Sequence, residues 1–330
     1  MLEHGGNLQQ AATQYGIPLA DWLDLSTGIH PQHYPIPSLP PALFQRLPPI
    51  NDGLLAAAQT YYGAQHLLAC AGSQAALQVL PVLRKPCRVA MPRTMYQEHA
   101  YAWQRAGHEV HFFDQQPDSA TLNNTDVLLV CNPNNPTGQT YPVDILLSWH
   151  AQLASRGGWL VVDEAFADIT PECSLARHAG QTGLWVLRSL GKFFGLAGLR
   201  VGFLLGEPKA LAEVESSLGP WTVAGPSRYI AKMALEDTDW QQQMREHLPT
   251  QSRQLSQLLG QYGLHPTGGT ALFQYVQHPA SLQLQDALAR QGVWTRYFDS
   301  PLSLRFGLPP ATEWARLKQA LAHASASISG

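Results

Sequence analysis

Lys192 lies in the run Arg188-Ser189-Leu-Gly-Lys192-Phe-Phe-Gly-Leu-Ala-Gly-Leu-Arg200, between a short apolar stretch and a glycine-rich one. An amine becomes nucleophilic near neutral pH only when desolvation or nearby positive charge lowers its pKa. Phe193, Phe194 and Leu196 are placed to supply the first, which suits a Schiff-base lysine. Alone, such a lysine reads as a solvated residue at a strand end. Two other stretches change that reading. Val127-Leu-Leu-Val-Cys131 is an apolar run of buried-strand type that leads into the turn-rich Asn132-Pro-Asn-Asn135-Pro-Thr-Gly138. Trp159-Leu-Val-Val162 is a second such run, and it delivers Asp163 and Glu164 directly after its last apolar residue. Ligands of parallel α/β sheets bind outside the carboxyl ends of the strands, so Asn135, Asp163 and Lys192 are expected to converge on one ligand.

The elements needed to position these residues are legible around them. Residues 1–50 carry Pro31, Pro35, Pro37, Pro40, Pro41, Pro48 and Pro49, which rule out long helices and predict an extended arm. Across 51–215, short apolar runs alternate with helical stretches such as 54–62 and 75–83. That rhythm predicts an α/β domain with a mainly parallel sheet and helices on both faces. Over 216–330, helical spacing at 228–236, 250–262, 282–291 and 312–322 accompanies strand-like alternation at 273–276 and 303–306, predicting a small α+β domain. The expected organisation is therefore an arm at 1–50 that contributes to the small domain and the substrate site, a large domain at 51–215 and a small domain at 216–330.

The length suffices for two domains and a large core. A net charge of −3 and a pI near 6.5 argue against nucleic acid or an anionic membrane as partners. Cys70, Cys87, Cys131 and Cys173 are widely spaced, which argues against a disulfide scaffold or a bound metal and fits a reducing compartment. No basic start precedes an apolar segment, and no apolar run is long enough to span a bilayer, so a cytoplasmic location is expected.

Asn-Pro-Thr-Gly, Asp-Glu-Ala and Ser-x-x-Lys with a following Arg, in this order, resemble the fold-type I pyridoxal-phosphate (PLP) enzymes in their aminotransferase-like branch. The resemblance is close over about residues 70–205. It implies that Lys192 carries the cofactor and that Asp163 partners its pyridinium nitrogen. Asn135 would donate to the phenolic oxygen, while Ser189 and Arg200 would hold the phosphate, a task for which a planar guanidinium is suited. Ala71-Gly72-Ser73-Gln74 is read as a helix start that completes the phosphate cradle with backbone N–H groups. In Met91-Pro-Arg-Thr-Met-Tyr96-Gln-Glu-His99 the resemblance places an aromatic over the ring. Tyr96 is the first choice, and His99 is left either to stack or to orient Asp163.

At the start of the chain, His4-Gly-Gly-Asn7 and Asp24-Leu-Ser-Thr27-Gly28-Ile29-His-Pro31 resemble the threonine-phosphate decarboxylase family of cobalamin synthesis. The resemblance implies a substrate-phosphate site at His4 and at Thr27, Gly28 and Ile29, with Asn135 also near the substrate. It implies Arg305, with Arg296 as a second candidate, on the carboxylate. Phe166 in Asp163-Glu-Ala-Phe166 lacks the hydroxyl that many aminotransferases of the branch carry as Tyr, which favours decarboxylation. Leu47-Pro48 stands where histidinol-phosphate aminotransferases show Tyr-Pro, leaving Tyr61, Tyr62 or no residue to replace that cross-subunit hydroxyl. The expected activity is decarboxylation of L-threonine O-3-phosphate in a homodimer. A histidinol-phosphate-type aminotransferase is the alternative, and a non-catalytic PLP-fold binding protein is a more distant one.

Overall fold

The computed structural model describes residues 4–49 and 51–328; the outermost residues of the expected arm, 1–3 and 50, lie outside them. The described chain begins with α1 (Leu8–Tyr15), β1 (Leu23–Asp24), α2 (Ala42–Gln45), α3 (Leu54–Tyr62), β2 (Leu67–Ala71), α4 (Ser73–Val79), β3 (Arg88–Pro92), α5 (Glu98–Arg105), β4 (Glu109–Phe113) and α6 (Ser119–Asn123). It continues through β5 (Val127–Cys131), α7 (Val143–Ala154), β6 (Trp159–Asp163), β7 (Leu184–Ser189), β8 (Val201–Leu205), α8 (Pro208–Leu218), α9 (Gly225–Glu236) and α10 (Thr238–Gln261). It closes with β9 (Gly268–Thr270), β10 (Phe273–Gln277), α11 (Ser281–Ala289), β11 (Val293–Trp294), β12 (Arg296–Asp299), β13 (Leu302–Gly307) and α12 (Trp314–Ile328). Two compact units result, one of residues 34–135 and 139–241, the other of 1–33, 136–138 and 242–330.

The larger unit is built on a seven-stranded sheet of order β2-β8-β7-β6-β5-β3-β4, in which β8 alone runs against the rest. Every residue of β5, β7 and β8 is buried, as expected of strands covered on both faces. The pleat divides their side chains. Val127, Leu129 and Cys131 join Leu77 of α4, Trp103 of α5 and Leu211 of α8 in one apolar cluster, which leaves Leu128 and Val130 to the opposite face. Helix starts and stops are local. Asp52 Oδ1 accepts from the Leu54 N–H at the head of α3 (3.0 Å), and Gly63 ends that helix at φ +65°. From β3 the chain passes outward to β4, and from β5 it winds the other way to β6 and β7. The junction of β3 and β5 is thus a topological switch point, where ligands of such sheets bind.

In the smaller unit an antiparallel sheet runs β12-β13-β10-β9, and β1 pairs in parallel with β11. Leu25 N–H donates to Trp294 O and Gly307 N–H to Leu25 O, both at 2.7 Å, tying the segment after β1 to β11 and β13. Tyr15, Trp22 and Trp294 meet edge to face, with Trp22 6.0 Å from each of the other two, and anchor α1. The turn at 136–138 lies so close to β9 that a Cβ on Gly268 would sit 2.0 Å from Thr137 O. Glycine is required there for close approach.

Three expectations are adjusted. The division of the larger unit falls at 241/242 rather than 215/216. α9 packs on α3, and Arg228 grips Asp52 through Nε and Nη2 at 2.5 and 2.8 Å, which holds 216–241 to the larger unit. The arm is shared: 1–33, with α1, belongs to the smaller unit and 34–49 to the larger. Helix α10 begins twelve residues before the expected start at 250 and runs through Pro249, giving up one interior hydrogen bond. No helix among the described residues is long and apolar enough to cross a membrane. The sheet core predicts a simple outcome: Leu129→Ala, at a fully buried position of β5, should lower unfolding free energy by about 2–5 kcal/mol in a denaturant titration.

Candidate active site

The parallel strands β5 and β6 end in register, with Cys131 opposite Asp163, and β7, whose Leu187 is opposite Asp163, runs on to Ser189. Beyond β5 the turn is locked by its own asparagines. Asn132 exchanges hydrogen bonds with the Tyr141 backbone (2.8 and 3.2 Å) and Asn134 Nδ2 donates to Thr94 O (2.8 Å), which fixes the approach to Asn135. Asp163 is buried at the end of β6. Its Oδ2 lies 2.8 Å from His99 Nε2, and its Oδ1 accepts from the Ala165 N–H at 3.0 Å. His99 is therefore committed to Asp163. The Tyr96 ring stands 6.0 Å from it at 86°, with the hydroxyl donating to Gln74 Oε1 (3.3 Å). Burial, with Glu98 and Asp163 beside it, pushes the Tyr96 hydroxyl up to about 12 and keeps it a donor. Burial also raises the Cys131 thiol well above its usual range.

Lys192 is half-buried after β7, its amine 5.4 Å from the centre of the Phe166 ring. Phe193 and Phe194 on either side of its loop are buried, and Phe194 stacks on Trp240 at 5.6 Å and 13°. The apolar setting expected for a nucleophilic lysine is thus present. Asn135, Asp163 and Lys192 are brought to adjacent strand ends of one sheet.

Gly72, Ser73, Ser189 and Arg200 are brought together at the entry to α4. Gly72 has φ +72° at the entry to α4, and a Cβ there would fall 2.6 Å from the Arg200 guanidinium. A Cβ on Gly202 would lie 2.3 Å from the Ser73 nitrogen. Arg200 itself is in the left-handed region at φ +54°, rare for a residue with a side chain and concentrated at functional positions. Ser189 Oγ accepts from the Gly191 N–H (3.2 Å) and Gln74 Nε2 donates to Glu98 (3.0 Å). Open N–H groups of a helix start, two hydroxyls and a guanidinium are the donors that a phosphate requires. With a carboxylate, an amide and a lysine at the neighbouring strand ends, this set fits PLP.

Sequence reasoning missed the layer behind these residues. Arg188, buried in β7, donates to Glu164 and Asp168 at 2.7 Å each and lies 4.6 Å over the Tyr62 ring. Tyr61 donates to Asp168 at 3.1 Å. The Tyr61 hydroxyl and the Tyr62 ring are thus both engaged within their own unit. The overlooked signal was a charge at the end of an otherwise apolar strand, Trp185-Val-Leu-Arg188.

The smaller unit carries a second polar cluster. Arg305 of β13 and Arg296 of β12 are directly opposite each other. Burial, then the neighbouring Arg296, lowers Arg305 to about 10. Like charges facing across strands oppose one another, an arrangement that suits an anionic ligand. Arg305 Nη2 donates to Ser26 O (2.6 Å), Ser26 Oγ donates to Asp24 (2.6 Å) and the Gly6 N–H donates to Ser26 Oγ (2.7 Å). A Cβ on Gly5 would meet Ser26 O at 2.3 Å, so the arm from His4 to Asn7 rests on the Ser26–Thr27 turn. His4 is exposed, Thr27 and Ile29 half-buried and Gly28 buried.

His30, next in that turn, is buried and held down to about 4 chiefly by its burial. Below pH 6.5 the unfolded chain takes up a proton there that the folded one refuses. Stability from this group is complete above about pH 6.5 and lost as pH falls toward 4, by at most about 3 kcal/mol. Denaturant unfolding should show that loss, and His30→Gln should flatten it. In the cradle, Gly202→Ala should weaken PLP binding at least tenfold (about 1.4 kcal/mol) in an equilibrium titration.

A sequence model of the aminotransferase class I and II family matches residues 46–323. The chain is 53% identical over 322 residues to a protein from Pseudomonas aeruginosa named threonine-phosphate decarboxylase, covering 97% of each. Among solved structures, a histidinol-phosphate aminotransferase from Clostridium acetobutylicum has the same fold, with TM-score 0.81, 17% identity, and 92% of this chain and 99% of that one covered. So does an L-threonine-O-3-phosphate decarboxylase from Porphyromonas gingivalis, with TM-score 0.76, 18% identity and coverage of 93% and 99%. Both the sheet that carries Lys192 and the sheet that carries Arg305 fall within the matched region: the chain belongs to the aminotransferase class I and II family, and its fold is that of the fold-type I PLP enzymes.

Proposed function

We propose that the protein decarboxylates L-threonine O-3-phosphate to (R)-1-amino-2-propanol O-2-phosphate, a step of cobalamin synthesis, with PLP as cofactor. The observation that carries this reading is the 53% identity over nearly the whole chain to a relative of that name, which takes in both polar clusters. Phe166 beside the Lys192 amine, in place of a hydroxyl-bearing residue, is consistent with it.

When bound, PLP supplies an electron sink for the pair left at the substrate Cα. The chain's residues decide how that sink is used. Asp163, oriented by His99, pairs with the ring nitrogen and Asn135 donates to the phenolic oxygen. Tyr96 is the ring left to stack on the cofactor face, with Gln74 holding its hydroxyl. Gly72, Ser73, Ser189 and Arg200 hold the phosphate. Lys192 would hold the cofactor, and its amine would return a proton to Cα. Arg305, with Arg296, takes the substrate carboxylate, while His4 and the Thr27-Gly28-Ile29 turn take its phosphate. By holding both anionic groups of the substrate, these residues would fix its orientation at Cα, so that the carboxylate rather than the hydrogen is the group lost.

The enzyme acts as a cytoplasmic homodimer in this reading. Four free cysteines fit a reducing compartment. Phe44, Leu47 and Trp221, exposed by 67%, 65% and 57%, offer apolar surface to a second copy.

Incubation with threonine phosphate should release CO2 and give the amino alcohol phosphate. Keto acid without CO2 would sink the proposal in favour of a histidinol-phosphate-type aminotransferase. Lys192→Ala should abolish turnover. Arg305→Lys, which keeps the charge but loses the planar fork, should raise KM for threonine phosphate about tenfold or more in steady-state assays.

A further inference from the structure

Successive residues of a strand point to opposite faces, so two adjacent pairs divide the ends of β6 and β7 between two tasks. Asp163 and Ser189 belong to the cofactor set, whereas their neighbours Glu164 and Arg188 meet in the buried layer behind it. We infer that Arg188, Glu164 and Asp168 form a positioning clamp that sets Asp163 and Phe166 relative to Lys192. The inference rests on the PLP reading of Lys192.

The contacts define a closed loop of chain. Arg188 Nη1 reaches Glu164 and Nη2 reaches Asp168, both at 2.7 Å, and all three side chains are 2% exposed or less. The five-residue segment from Glu164 to Asp168 is thereby held at both ends by one guanidinium. Phe166 is its midpoint, with the Lys192 amine 5.4 Å above the ring. Lys192 follows Arg188 by four residues, so both partners of that contact are tied to the same arginine. Further bonds hold the clamp from outside. The Ser174 hydroxyl and the Leu175 N–H both donate to Glu164, Tyr61 donates to Asp168, and the Tyr62 ring lies under the guanidinium.

Stability alone is a poor reason for such a cluster. A buried ion pair or triad costs heavily in desolvation, and well-packed apolar residues of the same volume often do as well. What apolar packing does not reproduce is two hydrogen bonds of fixed direction to the two ends of one short segment. The clamp therefore transmits geometry: it keeps the chain after β6 aligned with the chain after β7, in the direction that brings Asp163 and Lys192 to one ligand.

The test compares the PLP-loaded wild type with Asp168→Asn, Arg188→Lys and Arg188→Met, reading the visible absorbance of the bound cofactor against pH beside steady-state kinetics. Asp168→Asn should keep the band and the fold. Its pH midpoint should fall by about half a unit or more, because losing a carboxylate leaves the guanidinium less neutralised. kcat on threonine phosphate should drop about tenfold to a hundredfold, with KM within about twofold. Arg188→Lys should retain more of both than Arg188→Met. Should the Asp168 and Arg188 variants not fold, Tyr61→Phe, which keeps the Asp168 carboxylate and removes only the outer hydrogen bond, should move the midpoint measurably and lower kcat by a smaller factor. A folded Asp168→Asn or Tyr61→Phe with unchanged midpoint and unchanged kcat would overturn the clamp. A wild type with no such band would overturn the PLP reading, and the clamp with it.

Discussion

The hydrogen-bonded register of three parallel strands is the constraint on which the rest of the site depends. Because Cys131, Asp163 and Leu187 are paired across β5, β6 and β7, the chain leaves β5 and β6 at one level and β7 two residues later, at spacings of one strand. A slip of one residue in β6 would turn Asp163 into the layer behind and bring Glu164 forward. The apolar runs resist that slip, since the same slip would exchange their two buried faces. Core packing and the placing of chemistry are in this sense one interaction: Leu129 and Val161 hold the register that Asn135 and Asp163 use.

Two kinds of electrostatic environment follow. In the larger unit charges are paired or handed to a ligand. Asp163 has His99, Arg188 has two carboxylates, and Arg200 lies against the glycine that opens α4. In the smaller unit Arg305 and Arg296 face one another across a strand pair, and burial lowers the tendency of Arg305 to hold its charge. Under the proposed function, these two arginines serve the substrate carboxylate. The close approach of Gly5 to Ser26 ties the arm to the residue that Arg305 also contacts. The carboxylate and phosphate groups proposed for the substrate would thus meet one connected polar network within that unit.

What could be seen in the sequence was what is local. Asn135, Asp163 and Lys192 were legible because each follows an apolar run by a few residues, and the strand ends stand where that spacing predicts. Gly72 and Arg200 stood out because glycine before a helix and a following arginine are chemical signals in themselves, and the fold brings the two together. Contacts between distant stretches were not. His99 and Asp163 are 64 residues apart, so the choice between stacking and orienting His99 needed the fold. Arg188 was passed over because one charge in an apolar strand does not say what it meets. Helix α10 starts well before the predicted helix at 250, and the packing of α9 on α3 moves the boundary of the larger unit later than 215. In both, tertiary contacts outweigh a local preference.

The central claim is that Lys192 alone, among Lys85, Lys192, Lys209, Lys232 and Lys318, holds the cofactor as an imine. Borohydride reduction of the PLP-loaded protein, followed by digestion and mass spectrometry, tests it directly. The account predicts one stoichiometric pyridoxyl-phosphate adduct, on the peptide that contains Lys192. An adduct at another lysine, or none in a protein that has been given PLP, would contradict it.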